Sequence, residues 1–286
     1  MYKRIISLAP SNTEILYALG AGGRLVACTR YCDFPEEARK KPRIGGWLDI
    51  NDELVKKFQP DLILTSTFVQ NKIAERYKKS KMNIVALMPT TLKGVFDSII
   101  KIGRLTDKEK EAFNLVNSMK NKFKEIENKT KNCNKRYAIK NNSMNKKTII
   151  KNSIQKNDKK NLDKIAKPRV YIEEWHKPPT VSGNWVPNIV KMAGGNYSLI
   201  KAGVHSKEVS TKQMQEYDPE IIIISICGMA DKAPKEWITK REGWEKLSAV
   251  RNNKIFVFDD SLLNRPGPRL TIGLERLAEV IHSGWF

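Results

Sequence analysis

The chain has 286 residues, 40% of them hydrophobic, which suits one large domain or two of ordinary size in a folded globular protein. Four cysteines without a CxxC pair imply no disulfide framework, and three histidines far apart in sequence argue against a His-rich zinc site. The net charge of +21 points first to nucleic acid or an anionic membrane, but thirteen Lys/Arg against two Asp fall within residues 129–167, so about half of the excess is local.

In chain order, "KRIISLAP" is a β-branched run ending at Pro10 and reads as a buried strand. "SNTEILYALGAGG" follows as a helix, with Ser11, Asn12 or Thr13 as the N-cap and Gly20 to Gly23 as the stop. "RLVACT" is a second strand and "INDELVKKF" a short helix. "QPDLILTS" is a turn and strand, "KIAERYKKS" a helix, "MNIVALMP" a strand and "TLKGVFDSIIKIGRLT" a helix. Strands alternating with helices predict an α/β fold with a mostly parallel sheet.

Next, Phe113, Val116, Met119, Phe123 and Ile126 recur at steps of three or four, and Thr106 is placed to cap them. They predict one amphipathic helix of about 20 residues, roughly 30 Å long, a rigid strut between two lobes. The Lys/Asn-rich tract after it holds too few large apolar residues to offset chain entropy. It reads as a flexible insertion, either a plain solvated loop or a tether to polyanions or a membrane surface. No aromatic-interleaved RNA motif or zinc-finger spacing supports a specific nucleic-acid partner.

From Pro168 the order repeats. "PRVYIEEW" is a strand and "NWVPNIVKMAGG" a helix stopped by paired glycines. "VSTKQMQEYDPEIIIISICG" aligns with "INDELVKKFQPDLILTSTF": a short helix, then x-Pro-acid, then a β-branched strand. "NKIFVFDDSLL" and "PRLTIGLERLAEVI" match the last strand and helix of the first half. The expected organisation is an α/β lobe over 1–105, the connecting helix over 106–130, the basic insertion over 131–167 and a second α/β lobe over 168–286.

In open α/β sheets, ligands bind beyond the carboxyl ends of the strands. There the loops carry Tyr31, Phe34, Trp47, Phe68, Trp175 and Trp185, poor core candidates if they line a cleft between facing lobes. Such a cleft suits a large, flat, partly apolar ligand. "NRPGPRL" reads as a stiff loop at its mouth, with Arg265 and Pro266 toward the ligand and Arg269 starting a helix. The alternative is a structural turn with solvent-facing arginines. His176 beside Trp175 is placed to touch a ligand or a metal centre, or to make a loop hydrogen bond. No nucleophile elbow, P-loop or dinucleotide fingerprint is present, and Glu173 and Glu174 point to opposite faces of a strand, so an enzyme is not expected. Cys28 and Cys32 match no metal spacing, and Cys227 reads as a packing residue.

"RIISLAPSNTEILYALG", "YCDFP", "GGWLDIN" before "QPDLIL", "SGNWVPNIVKMAGG" and "NRPGPRL…GLERLAE" together resemble the cobalamin and iron-chelate substrate-binding proteins of ABC importers, most of all the cobalamin branch. The resemblance spans nearly the whole chain except the basic tract. It implies two α/β lobes joined by a rigid helix, and a monomeric binding protein that captures cobalamin or a related corrinoid between aromatic side chains and delivers it to a permease. By motif position Tyr31 and Trp47 are first-lobe contacts, and the Trp175 and "NRPGPR" loops are second-lobe contacts. Leu262 and Leu263 stand where the family pattern has an aromatic residue. The implied permease-docking residues are Glu53 and, in the second lobe, Glu216 (or Glu208), because Lys212 occupies the aligned place. A ferric siderophore or haem is the alternative ligand, and a cytosolic tetrapyrrole-handling protein the alternative role. The family is extracytoplasmic, whereas "MYKRIISLAP" has no apolar run of signal-peptide length, which keeps a cytoplasmic location open.

Overall fold

The computed structural model describes residues 1–66, 70–145 and 167–283, the side chains of 134–145 excepted. The chain divides into two compact units, Met1–Asn121 with Ser261–Leu270, and Lys122–Asp260 with Thr271–Phe286. In the first unit the order is β1 (Ile5–Ser7), α1 (Pro10–Ala18), β2 (Leu25–Cys28), α2 (Glu36–Arg39), α3 (Asp52–Lys57), β3 (Leu62–Thr65), α4 (Asn71–Lys79), β4 (Ile84–Ala86) and α5 (Leu92–Leu105). The sheet order β2-β1-β3-β4 is parallel throughout. Its central strands β1 and β3 are fully buried, as a sheet covered on both faces requires.

Helix α6 (Glu109–Asn145) contains the division between the units. The second unit then runs β5 (Val170–Trp175), β6 (Thr180–Val181), α7 (Val186–Met192), β7 (Lys207–Glu208), α8 (Thr211–Tyr217), β8 (Ile221–Ile224), α9 (Glu236–Thr239), α10 (Ser248–Arg251), β9 (Ile255–Val257) and α11 (Leu270–Ile281). Its sheet order is β7-β6-β5-β8-β9: β5, β8 and β9 are parallel, whereas β6 and β7 pair antiparallel at one edge. Those two edge strands have two residues each, too short to leave a period in the sequence.

The internal repeat is physical. Asn51 and Ser210 cap α3 and α8, each accepting a backbone N–H three residues on, and Ser210 completes a capping box with Gln213. Val55 and Met214 are the buried residues of those helices. Each helix unwinds through a left-handed residue, Gln59 at φ 45° and Asp218 at φ 44°. The acid after each proline, Asp61 or Glu220, then accepts the amide of Arg4 or Arg169 at 2.9 Å and fixes the start of the neighbouring strand. Arg4 and Arg169 donate Nε back to the carbonyls of Gln59 and Asp218.

Several expectations need correction. Pro10 opens α1 instead of closing β1, with Ala9 as N-cap. A proline at the first helical position sacrifices only an N–H that had no helical partner. Thr106 is the C-cap of α5, not the N-cap of α6, and its hydroxyl donates to the Ile102 carbonyl. The buried stripe of α6 is Ala112, Val116, Met119, Phe123, Ile126, Thr130 and Cys133, a strict four-three alternation that leaves Phe113 exposed. Ala112 is required there because Gly103 of α5 approaches so closely that a Cβ on it would meet the Ala112 Cβ at 2.5 Å. That stripe runs past residue 130, and α6 has 37 residues instead of about 20. The helix thus enters the span read as a flexible insertion, of which 146–166 lie outside the described residues. Residues 261–270 group with the first unit.

Removing either cap should cost about 1 kcal/mol. Asn51→Ala and Ser210→Ala should each lower the urea midpoint, while Lys56→Ala on the same surface should not. Caps indistinguishable from that control would show that neither helix start depends on them.

Candidate functional site

At the carboxyl edge of the first sheet, β2 ends in a turn that presents Tyr31. The turn is stitched from several sides. Arg30 donates its amide to Gly45 O at 2.8 Å, and Cys32 donates its amide to Thr29 O at 3.1 Å. Arg43 Nη1 bridges Cys28 Sγ, Thr29 O and Cys32 O at 2.8–2.9 Å. Beneath it the Cys32 sulfur accepts the Thr13 hydroxyl at 3.1 Å. Burial opposes a thiolate at Cys32, but hydrogen bonds from Cys28, Thr13 and Thr29 hold its pKa below the usual thiol value. Tyr31 is left 44% exposed on this fixed backbone.

Trp47 sits on an adjoining loop closed by a bridge between Gly45 and Ile50. Gly45 has φ 128°, and a Cβ there would meet Asp49 O at 2.1 Å, so the turn requires glycine. Asp49 accepts the Gly46 amide at 3.1 Å and pairs with Arg30. Gln70, fully buried, ties this loop to the sheet: its Nε2 donates to Leu8 O at 2.8 Å and Trp47 O at 3.3 Å, and its Oε1 accepts the Ser66 amide at 3.2 Å. Trp47 is 39% exposed. Phe68, the other expected contact here, lies outside the described residues.

The "NRPGPR" loop is aimed at protein. Arg265 Nη1 donates to Glu14 Oε1 at 3.0 Å and also pairs with Asp33. Arg269 grips Glu14 through Nε at 3.0 Å and Nη2 at 2.6 Å, with its guanidinium 4.3 Å above the centre of the Phe34 ring. Glu14 is a buried carboxylate, and a buried carboxylate without partners costs several kcal/mol. Burial works against the Asp33 charge as well, but the hydrogen bond and charge of Arg265 hold its pKa below the usual carboxylate value. Burial disfavours the Arg265 charge, and Asp33 and Glu14 more than compensate and raise its pKa. The Arg265 side chain is therefore engaged by this network and 15% exposed. Pro266 is half-buried within the same loop.

In the second unit, Trp175 closes β5 and is 52% exposed, with its ring held by an Nε1–H bond to Lys177 O at 3.0 Å. His176 follows, stacked on Trp237 with ring centres 4.1 Å apart and planes 14° from parallel. Behind them, Glu173 is fully buried and bound by both Nη atoms of Arg241 at 2.6 and 2.7 Å. It also accepts the Tyr171 hydroxyl at 3.0 Å. Glu174 accepts the hydroxyls of Ser182 and Ser206 at 2.8 and 2.6 Å. Both carboxylates are thus consumed by structure. Trp185, expected as a contact, is 6% exposed at the start of α7 and works as a packing residue. Among the described residues no three His, Cys, Asp or Glu side chains converge as metal ligands.

The periplasmic binding protein family model matches residues 5–262. The chain belongs to this family. This periplasmic binding protein is 29% identical to an uncharacterized ABC transporter substrate-binding lipoprotein of Bacillus subtilis, over 99% of this chain and 81% of the relative. It is 25% identical to a vitamin B12-binding protein of Vibrio vulnificus, over 97% of this chain and 89% of the relative. Among solved structures, a possible iron-binding, periplasmic solute-binding protein of Staphylococcus epidermidis aligns with TM-score 0.72 and 29% identity, covering 98% of each chain.

The residues that hold the rings in place leave no mark in the sequence. Gln70, Arg43 and Arg241 lack any motif, and Glu14 reads there as one more polar residue of a helix. In this binding protein Glu14→Ala, which takes the carboxylate from Arg269 and leaves Arg265 with Asp33 alone, should cost about 3–5 kcal/mol in denaturant unfolding. A loss no larger than that of the exposed Glu36→Ala would show that the network does not hold the loop. The depressed Asp33 pKa adds stability that is complete above its unfolded value of about 3.9. That stability is lost as pH falls through the lower folded value, so Asp33→Asn should flatten this part of the acid-unfolding curve.

Proposed function

We propose that this protein captures cobalamin or a related corrinoid and delivers it to the permease of an ABC importer on the extracytoplasmic side. The observation that carries the reading is the trio Tyr31, Trp47 and Trp175. These are large aromatic side chains left 39–52% exposed at the carboxyl edges of their sheets, Tyr31 and Trp47 on backbones tied by hydrogen bonds and Trp175 with its ring N–H bonded to Lys177 O. Rigid aromatic faces bind a broad, partly apolar ring at low entropic cost. The vitamin B12-binding relative, matched over 97% of this chain, supports the same ligand class. Glu14, Glu173 and Glu174 are each occupied by structural partners.

Permease docking is assigned to Glu53 in the first turn of α3 and to Glu216 on α8, both exposed. Lys212, at the position equivalent to Glu53, is exposed as well. The second reading keeps the fold and replaces the corrinoid by a ferric siderophore or haem, and the solved relative described as a possible iron-binding protein favours it.

Calorimetric titration with cyanocobalamin, a ferric hydroxamate and haem separates these readings. The expected result is one-to-one cobalamin binding at micromolar affinity or tighter. Trp47→Ala with Tyr31→Ala should weaken it by at least about 10-fold, the equivalent of ~1.4 kcal/mol. Binding confined to an iron ligand would move the function to iron uptake, and a double variant of unchanged affinity would relocate the site.

A further inference from the structure

One side chain of the second unit has its chemistry decided by its neighbours. Arg241 gives Nη1 to Glu173 Oε2 at 2.6 Å and one Nη2 hydrogen to Glu173 Oε1 at 2.7 Å. Its Nη2 also stands 2.7 Å from His176 Nδ1. A guanidinium has donors only, so this contact exists only if Nδ1 offers its lone pair. The proton of the imidazole is then on Nε2. Turning the ring over would set a C–H against the guanidinium, and protonating Nδ1 would set donor against donor. Glu173 Oε1 is 3.4 Å from Nδ1, much farther than Arg241 Nη2 at 2.7 Å, so the shorter contact decides the tautomer. Burial is the main cause that lowers the His176 pKa; the Glu173 hydrogen bond opposes it, the Arg241 charge lowers it further, and the net direction agrees with the geometry. Stacking on Trp237 fixes the ring plane, and the cation–π contact of Arg241 with Trp244, 4.2 Å to the ring centre, fixes the guanidinium. The His176 side chain is 15% exposed, and no described residue hydrogen-bonds its Nε2.

We propose that His176 is a fixed N–H donor to an oxygen acceptor on the ligand, and not a ligand to a metal centre. The proposal rests on the reading of neighbouring Trp175 as a ligand contact. A neutral imidazole binds a metal through a nitrogen lone pair, and here that lone pair is engaged by Arg241. The matching ligand carries a carbonyl or carboxylate oxygen at its periphery, such as the carboxamides around a corrin ring, and its metal is coordinated without His176. Arg241 is the positioning residue, since it selects the tautomer without touching the ligand.

The test has two arms. In the ligand-free protein, long-range proton–nitrogen spectra of labelled histidine, assigned with His176→Gln, should show a neutral ring protonated on Nε2 at pH 7. A ring protonated on Nδ1 or on both nitrogens overturns the proposal whatever the protein binds. In the second arm cyanocobalamin and haem are titrated into folded wild type, His176→Gln, His176→Ala and His176→Phe. Glutamine retains an N–H donor and should bind within about 3-fold of wild type, whereas alanine and phenylalanine should lose about 5- to 10-fold, the scale of one hydrogen bond. The absorption bands of the bound metal centre should be the same in wild type and His176→Ala. Equal affinity in all four proteins, or a metal-centre band that His176→Ala abolishes, sinks this proposal alone. A wild type that binds neither probe nor any ferric siderophore sinks the ligand reading and the donor role with it.

Discussion

Two buried carboxylates organise the functional edges of this protein. Glu14 on α1 and Glu173 at the end of β5 are removed from water, and neither position is tenable without a cation. Arg265 and Arg269 reach Glu14 from about 250 residues away in sequence, and Arg241 reaches Glu173 from 68. Each pairing welds a distant loop onto the carboxyl end of a parallel sheet, where α/β proteins place their ligands. Around the Glu14 network lie Asp33 and Phe34, next in chain to the Tyr31 turn. Around the Glu173 network lie His176 and, one residue before it, Trp175.

These pairings confer rigidity beside the exposed aromatic side chains. Tyr31, Trp47 and Trp175 keep large exposed surfaces, yet their backbones are held by Arg43, Gln70 and the close of β5. Residues whose backbone is already held in one place lose less freedom when a ligand arrives, so more of the contact energy appears as affinity. The same logic makes His176 a selective donor: a ring whose tautomer and plane are both fixed cannot adapt to an unsuitable acceptor. Arginine recurs in these supports because its planar fork satisfies a carboxylate with two parallel bonds and still has donors for a carbonyl, a sulfur or an imidazole.

The two units share one construction. Each sets a capped helix, a left-handed residue, a proline and an acid ahead of a buried strand, and each uses the acid to hold the amide that begins the adjacent strand. They differ in the additions: the second sheet gains the antiparallel edge β6 and β7, and Lys212 stands where the first unit has Glu53. The repeated parts are those that a parallel sheet needs in order to start and stop its strands. The differing parts lie at an edge and on an exposed helix face, where folding imposes few demands.

By itself the sequence determined the α/β class, the parallel strands, most helix positions, the internal repeat and the loops that carry exposed aromatics. These are local properties: β-branched runs, the helical spacing of apolar residues, caps, and glycines at left-handed positions. The family motifs were legible for the same reason, being contiguous stretches. Tertiary structure alone decided what the loop arginines meet, because an ion pair between Arg265 and Glu14 leaves no periodic trace. It buried Trp185 and exposed Trp47, two tryptophans in loops of similar composition. It exchanged Phe113 for Ala112 through the close approach of Gly103, carried α6 past residue 130 into a lysine- and asparagine-rich stretch of sequence, and fixed the tautomer of His176. Each of these outcomes depends on a partner far away in the chain, and such partners become neighbours only when the chain is folded.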